Sequence, residues 1–242
     1  MINEFTNKVT NLIKEVEEKE TQNIKKAAKI MYDAMMKEQL VHVFATGHSH
    51  MFAEEMFYRS GGLVQIDPIL IPELMQHEGA VSSTKKERIE GKAKLIFDNW
   101  DIKDTEPIII ISNSGINAVP VEMALISKEH KCPVIVITSL ESSKELTPRN
   151  KAGFHLYELG DVVISNHTPY GDGIIDKEYG NIGSVSSIVG SYIAQCLVLE
   201  IVSMYETNNL IPPIYVSANI PGGDEHNIKL MDKYKLRIKC LY

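Results

Sequence analysis

The chain has 242 residues, 44% of them hydrophobic, and a formal net charge of -7. That is enough apolar material for one large α/β domain with its own core, while the acidic balance excludes a general nucleic-acid or anionic-membrane binder, since each needs a basic face. The three cysteines, Cys132, Cys196 and Cys240, lie far apart without a CxxC pair, and the charged start from Glu4 onward lacks the apolar segment of a signal peptide, so a reducing cytoplasm is the expected compartment.

From Asn3 to about Glu38 the apolar positions Phe5, Val9, Leu12, Val16, Ile24, Ala28, Met31 and Met35 fall mainly three or four apart, with an offset around Glu18 to Thr21. This predicts one long amphipathic helix or two in series, and a helix longer than a compact domain covers points to packing against a second subunit. Leu40 to Ala45 reads as a first strand, ending in Thr46-Gly47-His48-Ser49-His50, with a helix from Met51 to Ser60. Val64 to Ile71 is apolar but holds Asp67 and Pro68, which leaves at best a short strand. Ser83 to Asn99 reads as one helix. Ile108 to Ile111 is an unbroken apolar strand of the kind buried on both faces, followed by the polar run Ser112-Asn113-Ser114-Gly115-Ile116-Asn117 and a helix from Val119 to His130.

Val134 to Ile137 is the next strand, closed by Thr138-Ser139, and Asp161 to Ser165 is a shorter one. Tyr179 to Leu199 carries no charge, yet its serines and glycines mark it as a buried helix rather than a membrane span. After the stiff Pro212-Pro213 bend, Ser217-Ala218-Asn219 and Gly222 to Asn227 read as a turn followed by an Asp-capped helix. Helix and strand alternate through most of the chain, which predicts parallel pairing by right-handed crossovers and a three-layer αβα sandwich. The expected organisation is one domain over 1–242, with an N-terminal helical extension at 1–38 and a C-terminal elaboration at 211–242.

In such sheets ligands collect beyond the carboxyl ends of the strands, where the next helix offers free backbone N–H groups. Ser112, Asn113, Ser114, Gly115 and Asn117 stand at that point, and hydroxyls and amides without a cation suit a phosphate or another small oxyanion. The plainer reading is that Ser114 or Asn117 caps a helix. Gly47 and Ser49 form a second loop of the same kind. His48 and His50 have no nearby Cys or acidic partner at a recognised ligand spacing, so neither metal nor cofactor is expected. Glu54 and Glu55, one turn into the next helix, either complement its dipole or face the pocket as a general base. His226 is a candidate proton donor that would close over a pocket, including one on a neighbouring subunit.

Taken together these units resemble the SIS domain, the sugar isomerase fold of phosphosugar isomerases, etherases and phosphosugar-sensing regulators. The most specific parts are the Ser-x-Ser-Gly loop after Ile108 to Ile111, the Gly-x-Ser loop at Val43 to Ser49, and Val134 to Ser139. More narrowly, Gly47 to Glu55, Ser112 to Gly115, Ala218-Asn219 and Asp224 to Asn227 resemble a bacterial SIS branch named for phosphoheptose isomerase or for phosphosugar binding. The resemblance implies a flavodoxin-like, five-stranded parallel sheet and a site often completed by a partner subunit, in which Ser49, Ser112, Ser114 and Asn117 hold the phosphate of a phosphorylated sugar.

Phosphoheptose isomerases place their glutamate about one helical turn further from the loop serine and join it to histidines and a glutamine in a metal site. Here the late helix from Ile182 to Met204 offers Gln195 but no histidine. The etherase relatives, which use paired glutamates, also place the first one further from the loop. The expected function is a metal-independent sugar-phosphate aldose–ketose isomerase or a related carbohydrate-derivative enzyme, cytoplasmic and homo-oligomeric, with Glu55 or Glu54 as base and His226 as proton shuttle. The alternative is a non-catalytic phosphosugar sensor that acts through a protein partner.

Overall fold

The computed structural model describes residues 1–242. Five apolar runs pair in parallel in the order β2-β1-β3-β4-β5: β1 (Val41–Ala45), β2 (Ile66–Ile69), β3 (Ile108–Ile111), β4 (Val134–Thr138) and β5 (Val162–Ser165). Strands β1, β3 and β4 are buried along their whole length, which is why their sequences are apolar without alternation. Pro68 is tolerated in β2 because that strand is an edge, where one side needs no ladder donor.

Side chains alternate between the two faces. Val41, Val43, Ile109, Ile111, Ile135 and Ile137 pack beneath α1 (Ile2–Met35), α2 (Met51–Met56) and α7 (Ser186–Thr207), whereas Phe44, Ile108, Ile110, Val134 and Val136 pack beneath α4 (Lys92–Asn99) and α5 (Ala118–Glu129). The sandwich expected from the alternation is therefore the one observed, with a short α6 (Leu140–Lys144) after β4. Helix α7 is long and apolar enough to cross a membrane, but here it buries Val189, Ile193, Ala194, Leu197 and Ile201 in the core.

Helix α1 is continuous, and the offset in its apolar pattern has a physical cause. Glu20 occupies the inward position there, buried, and accepts hydrogen bonds from His167 Nε2 and Asn23 Nδ2, each at 2.9 Å. His167 follows β5, so this pair fastens α1 to the carboxyl edge of the sheet. No residue before Leu12 is buried.

Several boundaries differ from expectation. Helix α2 stops at Met56 rather than Ser60. The segment read as one helix from Ser83 to Asn99 is two, α3 (Ala80–Lys86) and α4, because Gly91 takes a left-handed φ of 79° between them. The helix expected from Tyr179 begins only at Ser186, and the residues before it form a small antiparallel hairpin of β6 (Gly173–Ile175) and β7 (Ile182–Ser184). Helix α8 (Gly223–Met231) has no Asp cap, since Asp224 lies inside its first turn.

At the amino edge of the sheet, α8 and the tail close a small apolar cluster of Leu40, Val64, Tyr215, Met231, Tyr234 and Ile238. A buried ionic network lies beside it. His42 on β1 donates from Nδ1 to Asp67 at 2.7 Å and from Nε2 to Glu106 at 3.0 Å, while Arg237 clasps both Glu106 oxygens at 2.7 and 2.8 Å. Burial opposes the charge on His42, but Asp67 and Glu106 outweigh it and raise its pKa above the ordinary value. Burial alone would raise the pKa of Glu106, yet Arg237, His42 and the Leu40 and Lys103 amides hold it well below the usual carboxylate range.

Candidate functional site

The order β2-β1-β3-β4-β5 reverses direction between β1 and β3, and in open parallel sheets that crevice at the carboxyl ends is where ligands bind. The loops predicted from sequence to bind an anion, after β1 and after β3, flank this point. They form an open cleft with Glu87, Arg149 and the turn from Pro169 to Asp172.

Side-chain hydroxyls hold the backbone of the loop after β3. Ser112 Oγ accepts the Gly115 N–H at 3.2 Å, and the Asn113 carbonyl accepts from Thr138 Oγ1 at 3.1 Å. Gly115 has φ 64°, and a Cβ there would lie 3.0 Å from Ser143 Oγ and 3.2 Å from Thr138 Oγ1. Gly115→Ala is accordingly expected to destabilise the protein by about 1–3 kcal/mol, read as a lower urea midpoint; an unchanged midpoint would show that the loop does not need glycine.

Asn113 Oδ1 accepts from Asn166 Nδ2 at 2.9 Å and from Thr168 Oγ1 at 2.8 Å, so its oxygen is occupied and its Nδ2 has no protein partner. The Ser114 hydroxyl also lines the cleft and bonds nothing in the protein. Asn117 precedes α5 but does not cap it through its side chain. Instead Nδ2 donates to Glu87 Oε1 at 2.9 Å, and Oδ1 is buried without a partner. The capping explanation therefore fails for Asn117, which carries an unanswered acceptor at the wall of the cleft.

Glu87 was not among the residues expected at the site. It ends α3, with Oε2 accepting from Thr46 Oγ1 at 2.7 Å. Burial raises its pKa above the ordinary carboxylate value, and the Thr46 hydrogen bond and the charges of Arg88 and Arg149 only partly offset this. Arg149 was likewise not expected. Its backbone N–H donates to Ile116 O at 2.8 Å, which brings it beside the loop after β3, and its guanidinium forms no ion pair.

The remaining candidates separate. Glu55 borders a smaller enclosed lobe next to the cleft, where Oε1 accepts from Gln195 Nε2 at 2.8 Å and Oε2 pairs with Arg59. Glu54 is half-exposed and reaches only His50, at 3.7 Å, outside cleft and lobe. His226 lies on exposed α8, where Nε2 donates to Ile214 O at 3.1 Å, away from the cleft of its own chain. Gly47 and Ser49 line the cleft, and so does His48, whose Nδ1 donates to Gln76 Oε1 at 2.7 Å.

The sequence profile of the SIS domain family matches residues 4–139. The chain is 40% identical over 247 residues to a UPF0309 protein of Thermoanaerobacter pseudethanolicus, covering 100% of both, and 40% identical over 243 residues to one of Geobacillus thermodenitrificans, covering 100% of this chain and 98% of the other. The chain belongs to the SIS domain family. Among solved structures, a phosphoheptose isomerase from Francisella tularensis aligns with 84% of this SIS chain and 96% of its own at a TM-score of 0.55 and 13% identity. The E. coli CFT073 protein c3406, solved as a ligand complex, aligns with 85% of this chain and 89% of its own at 0.51 and 15%. At these identities the likeness is one of fold.

The metal set of the heptose isomerases does not fit this SIS domain. Glu55 and Gln195 bond each other, a guanidinium takes the second Glu55 oxygen, and α7 supplies no histidine. A cation there would have to displace Arg59 and find imidazole ligands that the helix lacks.

Proposed function

We propose that this SIS domain binds a sugar phosphate at the β1/β3 crevice and moves a proton on it, as a metal-independent aldose–ketose isomerase or a related carbohydrate-derivative enzyme. The observation that carries this reading is the pairing in one cleft of an unpaired guanidinium, Arg149, with a half-buried carboxylate of raised pKa, Glu87. The two ends have different chemistry. Ser112, Ser114, Ser49, Arg149 and the backbone N–H groups of Gly47 and Asn113 suit the phosphate, where charge-assisted hydrogen bonds are strongest. Glu87, facing neutral donors, suits the reacting carbons.

An isomerisation needs a carboxylate that takes a proton from the carbon beside the carbonyl and returns it to the neighbouring carbon through an enediol. Glu87 serves as that base in place of Glu55 or Glu54, and Asn117 Oδ1 accepts a hydroxyl of the sugar. Glu55, fixed by Arg59 and Gln195, is a positioning residue. His48 takes the shuttle role expected of His226, because its Nε2 has no protein partner while Nδ1 is engaged. Phosphate binding away from the reacting carbons supplies orientation. The acidic charge and the exposed start of α1 support a cytoplasmic homo-oligomer, a dimer or larger, that binds neither nucleic acid nor membrane.

The test is a thermal-shift screen with pentose, hexose, amino-hexose and heptose phosphates, followed by product analysis of the hits. A ligand at about a hundred times its dissociation constant stabilises by about 2.7 kcal/mol. Conversion of a hit supports the isomerase reading, stabilisation without conversion supports the sensor, and no shift with any sugar phosphate overturns both. Arg149→Met is expected to weaken binding of the stabilising ligand about ten- to a hundredfold by calorimetry, as loss of a charged hydrogen-bond donor implies. Unchanged affinity would remove Arg149 from the phosphate end.

A further inference from the structure

Behind Ser49 and Asn113, which wall both spaces, lies the enclosed lobe between α2, the ends of β3 and β4, and the first two turns of α7. Its apolar floor is Phe52, Ile111 and Ile137, and its α7 wall is Ser187, Gly190 and Ser191.

Charge decides first what such a lobe accepts. The positive end of α7 is already answered, since Asp172 accepts the Val185 and Ser186 N–H groups at 3.2 and 2.7 Å and the Ser186 hydroxyl at 2.8 Å. Asp172 borders the cleft rather than the lobe, and the one carboxylate in the lobe's lining, Glu55, is already neutralised by Arg59 and bonded to Gln195, so neither an anion nor an ammonium finds an unanswered opposite charge there. The lobe is suited to a neutral group. Hydrogen bonding narrows the choice further. Ser187 and Ser191, one turn apart on α7, make no hydrogen bond within the protein, and Asn113 Nδ2 makes none either, so unengaged donors stand around an apolar floor.

Gly190 supplies the third argument. A glycine inside a helix costs about 1 kcal/mol relative to alanine. A Cβ at this position would meet only Phe52 Cδ2, at 3.5 Å, which is ordinary contact. The fold does not require glycine here, and what the missing methyl leaves is room in the lobe.

We infer that the lobe receives a short acylamino substituent, an acetamido group in the first instance, so that the substrate class is N-acylated amino-sugar phosphates. This rests on the sugar-phosphate reading of the cleft. The acyl methyl covers Phe52, Ile111 and Ile137, the acyl oxygen accepts from Asn113 Nδ2 or a serine hydroxyl, and the amide N–H donates to the other serine. A plain hydroxyl in the same place leaves the floor uncovered.

The experiment is calorimetric titration of the wild type, Gly190→Ala and Gly190→Val with the 6-phosphates of N-acetylglucosamine, N-acetylmannosamine and N-acetylgalactosamine, each beside its free-amine and hydroxyl counterparts. In the wild type at least one N-acetyl form binds about tenfold or more tightly than both counterparts, the scale on which small groups are discriminated in an apolar pocket. That preference shrinks in Gly190→Ala and is lost in Gly190→Val, and the folded state of Gly190→Ala is verified by its melting curve. Equal or tighter binding of the hydroxyl forms overturns the inference, as does a preference that neither variant changes, and in both cases phosphate-dependent binding survives. Absence of binding by every sugar phosphate instead overturns the cleft reading, and this inference with it.

Discussion

Glu87→Gln is expected to lower turnover of the converted sugar phosphate by about 10²–10⁴-fold, the usual share of a general acid–base group, while the ligand still binds. The substitution suits the site sterically. Glutamine keeps an oxygen for the Thr46 hydroxyl, and its NH₂ meets the Asn117 oxygen once that amide turns over, leaving Asn117 Nδ2 to donate to the sugar hydroxyl in place of the oxygen. In the wild type the acid limb of kcat/KM should reflect a carboxyl titrating above its ordinary value of 4.5, because burial raises Glu87. The base must be ionised, so the rate falls as pH drops through that raised value. A variant with full turnover would return the role to Glu55, and an acid limb at or below the ordinary carboxylate value would argue against Glu87.

Arg237→Met should cost about 3–5 kcal/mol of stability, the penalty for leaving a buried charge without its partner. Glu106 has 1% side-chain exposure and would keep only His42 and two backbone N–H groups. For a chain of this length each kcal/mol is worth roughly 2–4 °C, so melting should fall by about 10 °C. A loss under about 1 kcal/mol would show that water reaches the carboxylate.

The same network gives the fold a pH dependence with a definite sign. His42 is raised above 6.5, so its contribution is fully present below about pH 6.5 and is lost as pH rises through the folded value. Glu106 is depressed below 4.5, so its contribution is present above about pH 4.5 and is lost as pH falls through the folded value. The network therefore stabilises most between these limits. His42→Gln should remove the alkaline decline in urea stability, and an identical decline in that variant would assign it to other groups.

The parts of this SIS domain that were legible in its sequence are those in which one requirement dominates. Ile108 to Ile111 and Val134 to Thr138 must be apolar on both faces, and the hydroxyls that follow must stand at the carboxyl edge. Hairpin β6–β7 was not legible because its strands are short, β7 is fully exposed, and both contain glycine. The break between α3 and α4 was hidden because a glycine inside an apolar pattern is compatible with either outcome.

The site divides in the same way. Ser112, Ser114 and Asn117 adjoin their strand in sequence, so local pattern reveals them. Glu87 enters the cleft only because α3 ends there, and Arg149 only because its backbone N–H meets Ile116. Neither belongs to a local motif. Glu54 was placed by its nearness to the first loop and His226 by its polar segment, and the fold turns Glu54 toward solvent and sets α8 at the amino edge, away from the cleft of its own chain.

In the proposed function the β1/β3 crevice holds the phosphate of a sugar phosphate. Isothermal titration of the wild type and a Ser114→Ala/Arg149→Met double variant, with one sugar phosphate from the screen and its unphosphorylated sugar, separates the phosphate's contribution from the sugar's. The expected result is saturable binding of the phosphate ester by the wild type, at least about tenfold weaker binding by the double variant, and none of the free sugar. Equal binding of the two sugars, or undiminished binding by the double variant, would overturn the assignment of the crevice.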